Sequence, residues 1–251
     1  WDATVIFNRN RNKATNVGAG VTAFANTSSG PVSLINGQPI GLYYGSYFAR
    51  DAQGNLLLTP AGLPQTERGT QTDPINPTPQ RDALGQPTGT VLRKVIGNPN
   101  PDWNGSLVNE FTYKKLSFRV QLDTEQGGER WAADWRTAQG VGAGKVAEAE
   151  HLGLVPRGYV NANYNIEEWR SQPGHWVKLR DVSLSYRFGS IKYLKDLTLS
   201  VSGRNLISWD DFEGGYDPEV NSGGQSSIVR GIDFGAVPVP RSFNFGLQAK
   251  F

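Results

Sequence analysis

The sequence predicts an all-β fold: an antiparallel transmembrane β-barrel segment of about six strands, joined by short turns at one end and long loops at the other. Three observations carry this. Apolar and polar residues alternate with a period of two in several stretches, as they must when successive side chains of a strand point to opposite faces. No run approaches the roughly 18 apolar residues that a transmembrane helix needs. The connections alternate between a few residues and several tens, an asymmetry that outer-membrane barrels show by rule and compact soluble domains avoid.

The first strand opens the chain, with Ala3, Val5 and Phe7 set against Asp2, Thr4 and Asn8; Ile6 interrupts its polar face and weakens it. Residues 10 to 102 form a long link with the Pro-rich TDPINPTPQ and an Asn36-Gly37 turn, in which the aromatic-rich GLYYGSYF (41 to 48) reads as loop strands of its own. WNGSLVNEFTY (103 to 113) places Trp103, Leu107, Phe111 and Tyr113 on one side and Asn104, Ser106, Glu110 and Thr112 on the other. Only Lys114 and Lys115 separate it from LSFRVQLDTEQ (116 to 126), in which Leu116, Phe118, Val120 and Leu122 alternate with Ser117, Arg119, Gln121 and Asp123, so the pair reads as a tight hairpin.

A second long link, 126 to 174, lacks convincing helical periodicity; AGKVAEAEHLGLV is its best helical candidate. VSLSYRF (182 to 188) and LTLSVSGRN (197 to 205) then read as a second hairpin with a short connection near 189 to 195. A third long link, 207 to 240, precedes SFNFGLQAKF, which closes the chain with Phe243, Phe245, Leu247, Ala249 and Phe251 on one face.

Composition narrows the classes. With 25 Lys+Arg against 23 Asp+Glu, a formal charge of +2 gives no case for a nucleic-acid partner. Cysteine is absent, which removes disulfides, thiolate metal sites and cysteine nucleophiles. Methionine is absent too, even at position 1, so Trp1 is expected to follow a cut or to open a piece of something longer. A mean hydropathy of -0.45 suits a barrel as well as a soluble β-protein, because barrel strands are apolar only at every second position.

Alternation alone does not say which face is inside. A soluble or cell-surface β-sandwich binding module, with one wet face per sheet, explains it equally. Charges within the strands (Glu110, Arg119, Asp123, Arg187, Arg204 and Lys250) suit a polar lumen, and aromatics gather where strands meet short turns (Tyr113, Tyr186, Phe188), as in an interfacial girdle. Loop asymmetry and a final Phe251, in the place of an outer-membrane insertion signal, favour the barrel with lipid on the apolar side.

Five stretches in order carry a family resemblance: IGNPNPDWNGSLVNEFTYKKLSF (96 to 118), WVKLRDVSLSYRF (176 to 188), VSGRNLISW (201 to 209), YDPEV (216 to 220) and VPRSFNFGLQAKF (239 to 251). Together they resemble the C-terminal barrel portion of the SusC/RagA group of TonB-dependent outer-membrane receptors. The resemblance implies one part of a roughly 22-stranded plugged barrel, importing oligosaccharides or peptides with a SusD-like surface lipoprotein and energy from TonB. It implies further partners in outer-membrane lipid and in the remaining strands and plug, the last absent from this sequence. It places residues 10 to 102, 126 to 174 and 207 to 240 as extracellular loops and the C-terminus in the periplasm. A barrel with a structural role and no transport shares the fold and remains an alternative.

Candidate site residues follow from this arrangement. Arg119, Asp123, Arg187 and Arg204 are expected to face the lumen, and Trp131, Trp135, Tyr164 and Trp169, with Tyr43, Tyr44 and Tyr47, are candidates for ligand contact in the loops. Asp217 and Glu219, with Asp210, Asp211 and Glu213 upstream, raise a calcium site against the blander reading of a carboxylate-stapled turn. His151 and His175 lie in no metal spacing, GVGAGK (140 to 145) lacks the rest of a phosphate loop, and no nucleophile or dinucleotide motif occurs. Neither an enzyme activity nor a cofactor is expected.

Overall fold

A computed structural model describes residues 1–27, 30–191, 193–214, 217–219, 221–224 and 229–251. Its frame is one six-stranded sheet formed by β1 (Asp2–Asn8), β2 (Trp103–Tyr113), β3 (Leu116–Gln126), β4 (Trp176–Arg187), β5 (Asp196–Asp210) and β6 (Ser242–Lys250). Each strand pairs antiparallel with the next in the chain. All six correspond to the alternating stretches of the sequence. Among the described residues the sheet does not close on itself: β1 and β6 each have a neighbour on one side only.

Register follows from the pattern. Leu122 stands opposite Leu107 and Phe118 opposite Phe111 across the first hairpin, and Val120 faces Val182 and Phe118 faces Leu184 on the other side. These apolar residues thus meet one another on one face, and a slip of one residue would turn the set over. The turn at Lys114 is tight enough to need a left-handed backbone, with φ at 54°.

The apolar period of β4 changes phase along WVKLRDVSLSYR: Val177 and Leu179 are odd-numbered, Val182 and Leu184 even-numbered. A bulge absorbs the change. Leu122 pairs with Leu179 and Gln121 with Asp181, leaving Arg180 as the extra residue. On β5 the register likewise jumps from Arg204 to Ile207 opposite, with Asn205 in left-handed conformation at φ 53°. The two irregularities lie side by side. They let Lys178, Arg180 and Asp181 all reach the polar face while Leu179 and Val182 stay on the apolar one.

The apolar face is bare. Phe245 is 85% exposed, Val5 75% and Leu247 71%, and the interior strands leave Phe111, Leu184 and Val201 exposed as well. No second sheet among the described residues lies over it, as a sandwich would require.

The long links are structured, and they hold the apolar core. Residues Val21–Thr27, Gly30–Ile35, Leu42–Ser46 and Arg93–Gly97 form a four-stranded sheet, and Arg68–Thr70, Thr78–Pro79 and Thr90–Val91 a small one beside it. A third sheet joins Glu129–Ala132 to Ser171–Pro173 and, in parallel, to Ile232–Asp233. The core cluster is Val32, Tyr43, Trp131, Ala133 and Ile232. Burying Tyr43 and Trp131 stabilises this layer by roughly 4 kcal/mol each at the usual area coefficient.

The expectation of no convincing helix in the second link needs correction. It contains α1 (Ala133–Gly140), α2 (Lys145–His151), α3 (Tyr159–Tyr164) and a 3-10 turn at Glu167–Arg170. α2 lies in the stretch singled out as the best candidate. None of the three helices has a side-chain N-cap, and tertiary contacts hold them: Trp135 packs edge-on against Trp169 at 4.6 Å and Arg136 stacks on Tyr164 at 3.2 Å.

Candidate functional site: the polar face and the loop layer above it

Polar residues of the sheet assemble into a charge ladder. Arg119 donates to Glu110 at 3.1 Å and to Asp181 at 2.9 Å, and Arg180 donates to Asp123 at 2.7 Å. Gln121 extends the ladder by accepting from Arg119 and donating to Asp123. Arg119 and Asp123 therefore belong to one network, as expected from their shared face. Arg204 joins its edge, 3.9 Å from Asp181. Arg187 does not; it sits toward the short-turn end and pairs with Asp196.

At the loop end of this face, three consecutive residues of the third link are clamped by three cations. Asp217 accepts from Lys178, the Pro218 carbonyl accepts from Arg130 Nε at 2.6 Å, and Glu219 accepts from Lys178 at 2.6 Å and from Arg180 at 2.7 and 2.9 Å. The Asp217 carboxylate also takes the Glu219 amide at 2.9 Å, and Arg130 pairs with Glu125. Lys178, Asp217 and Arg130 are buried, so each charge relies on its partner. Tyr216 and Val220 of YDPEV lie outside the described residues.

This arrangement favours the carboxylate-stapled turn over the calcium reading. The negative charge of Asp217 and Glu219 is already met by Lys178 and Arg180, and Asp211 is turned to His175 at 3.1 Å. No group of three or more His, Cys, Asp or Glu that could hold a metal ion occurs among the described residues.

The aromatic candidates divide. Trp131 is fully buried, 5.4 Å from the Tyr43 ring, and Tyr47 is buried as well, so these members of the group are core residues and not contact residues. The Tyr43 hydroxyl donates to the Arg230 carbonyl at 2.8 Å, and burial raises its pKa. Gly231, at φ 67°, lets the backbone pass: a Cβ there would stand 2.7 Å from that hydroxyl. Trp135, Tyr164 and Trp169 are half-buried around the helices. Trp135 lines a cleft of about 1090 Å³ between α1, α2 and residues 210 to 214, together with Val146, Tyr159, Phe212, Asp134 and Asp211. Tyr164 lines a second cleft of about 840 Å³ with Glu150, His151, Arg157 and Asn161.

Two groups beside α1, the buried Asp233 and the half-buried Arg170, escaped the sequence. Asp233 is 1% exposed, both its carboxylate oxygens lack a hydrogen-bond partner among the described residues, and its pKa is raised to about 6 by burial and by neighbouring Asp134. Arg170 is pulled down to about 10 by burial and by Arg136. Neither residue stands in a spacing that a sequence pattern could flag.

No family model matches the chain. Curated relatives do: TonB-dependent receptor P3 of Formosa agariphila is 27% identical, and TonB-dependent receptor P26 of the same organism 24% identical, each over the whole chain and 27% of the relative's own length. The chain therefore spans about a quarter of the relatives it matches. Among solved structures, the RagAB peptide importer in its closed-closed state superposes with a TM-score of 0.67 at 16% identity, and the RagAB peptide transporter with 0.64 at 15%; both cover 99% of this chain and 27% of theirs. Relatives in sequence and neighbours in fold agree over the whole chain, and they bear out the resemblance to the SusC/RagA type of TonB-dependent receptor.

Proposed function

We propose that this chain forms part of the wall of an outer-membrane TonB-dependent importer, taking up oligosaccharides or peptides together with a SusD-like surface lipoprotein. The observation that carries the reading is the inverted sheet: six strands with a bare apolar face and a charge ladder behind it. In water such a face would need a cover, because soluble monomers tolerate bare apolar patches of only about a few hundred Å². Acyl chains cover it at no cost. An open strand edge in lipid leaves unpaired backbone groups at several kcal/mol each, so β1 and β6 pair with further strands of the same barrel.

On this reading Arg119, Asp123 and Arg204 line the lumen and contribute to holding the plug, with Arg187 near the periplasmic mouth. The links 10 to 102, 126 to 174 and 207 to 240 lie outside the cell, where Trp135, Trp169 and Tyr164 meet the ligand. Phe251 ends the strand that the insertion machinery reads. The peptide named for RagAB makes a peptide cargo the first to try.

The absence of cysteine permits a clean test. In cells expressing the whole receptor with its other cysteines removed, Lys145→Cys on α2 is expected to react with a membrane-impermeant maleimide, and Lys114→Cys only after the outer membrane is permeabilised. Equal labelling of both in intact cells, or recovery of the receptor without detergent, overturns the reading. Trp135→Ala is expected to weaken binding of a bound peptide or oligosaccharide by about 1 to 3 kcal/mol, the scale of a truncated aromatic contact.

A further inference from the structure

Charge is unevenly placed along the strands. The short-turn end, residues 112 to 117, 186 to 197 and 248 to 251, holds six of the chain's 25 basic residues and one of its 23 acidic ones. That single acid, Asp196, is taken by Arg187 at 2.6 Å. The rest of the chain is left with an acidic excess, so the molecule is polarised along the strand direction.

The basic residues stand where the bare apolar face stops. Lys114 lies over the ring of Tyr113, 5.4 Å from its centroid, and that tyrosine is 71% exposed. Lys115 reaches the carbonyl of Phe188 at 2.7 Å, and Phe188 packs edge-on against Tyr186 at 4.7 Å. Lys195 is exposed in the next turn, where its amide donates to the Lys250 carbonyl at 2.7 Å. Lys250 and Arg187 lie on the polar side of the sheet. Lys114, Lys115 and Lys195, by contrast, project from the turns and can bend toward either side.

From these placements we infer that Lys114, Lys115 and Lys195 form a docking rim for the phosphates of anionic glycerophospholipids in the leaflet that the short turns reach. This rests on the membrane-wall reading above. The chemistry fits on two counts. A flexible ammonium beyond an aromatic girdle is placed at headgroup depth, its stem along the ring and its charge in the phosphate plane. The local positive excess has no acidic partner within the turns, so it is free to meet an anionic surface, to which each lysine contributes about fivefold in affinity.

The test uses the whole receptor, purified in detergent, exposed to an equimolar mixture of phosphatidylcholine, phosphatidylglycerol and lipid A, and read by native mass spectrometry of retained lipid. Preferential retention of phosphatidylglycerol is expected, at least fivefold over phosphatidylcholine, falling with added salt. The triple variant Lys114→Gln, Lys115→Gln, Lys195→Gln should bring the ratio near one, while Lys145→Gln at the loop end leaves it unchanged. Equal retention of the lipids by the wild type, preference for lipid A, or a ratio that survives the triple variant overturns the docking rim and leaves the membrane wall standing. A receptor that stays monodisperse without detergent and retains no lipid of any kind overturns both.

Discussion

The sheet and the loop layer use the same kinds of residue in opposite ways. In the loop layer Tyr43 and Trp131 are fully buried, as large aromatic residues are in a water-soluble domain. In the sheet Phe245, Leu247 and Val5 point outward and bare, while Arg119, Asp123 and Arg180 pair on the opposite face. The difference teaches that solvent, and not residue type, decides which side is a core. The loop layer carries its own apolar interior, whereas on the proposed reading the sheet borrows one from its surroundings.

That contrast can be broken most severely at the clamp joining the two regions. Lys178→Met leaves Asp217 buried without its ammonium partner, and a loss on the order of 3 to 5 kcal/mol in holding the third link is expected. Hydrogen exchange of the Glu219 amide and urea titration of the reconstituted receptor report it. Adding Asp217→Asn should recover part of the loss, because it removes the stranded charge. On the sheet, Val120→Arg should cost about 2 to 4 kcal/mol if that position lies at the bilayer midplane, read as the fraction of receptor that folds into vesicles. A negligible loss would return the apolar face to water.

Within the loop layer the sharper probe is pH. Asp233 titrates near 6 when folded, above the usual carboxylate value, so the folded layer binds a proton that the unfolded chain has already released between about pH 4 and 6. Stability therefore falls as pH rises through that window, and the penalty is complete above it. Asp233→Asn removes the penalty. It should slow exchange of the Trp131 and Ser222 amides, which bond to Gly231 and Ile232, at pH 7.5 but not at pH 4. The expected difference is on the order of 3 kcal/mol. The smallest effect is expected at Arg11, whose exposed pair with Asp102 at 3.2 Å is worth about 0.5 kcal/mol; Arg11→Gln should leave the urea midpoint where it was.

The six strands were legible because a period of two survives any tertiary context that keeps one face apolar. Even the bulge was written in WVKLRDVSLSYR, as the change of phase between Leu179 and Val182. The helices were not legible. α1 and α3 are short, lack caps and owe their form to Trp135 on Trp169 and Arg136 on Tyr164, contacts across tens of residues. Trp131 and Trp135 are four residues apart in one link, yet one is core and the other lines a cleft; composition cannot separate them. Asp217 and Glu219 stood out as carboxylates, but their true partners lie some forty residues upstream, where Lys178 and Arg180 read only as strand charges.

The free edge of β6 makes a forecast about polypeptide beyond this chain. On the proposed barrel reading, a strand that hydrogen-bonds there runs the other way and sets greasy side chains beside Phe243, Phe245 and Leu247, with small or polar ones beside Asn244 and Gln248. Half of that neighbour's alphabet can thus be written before its sequence is seen.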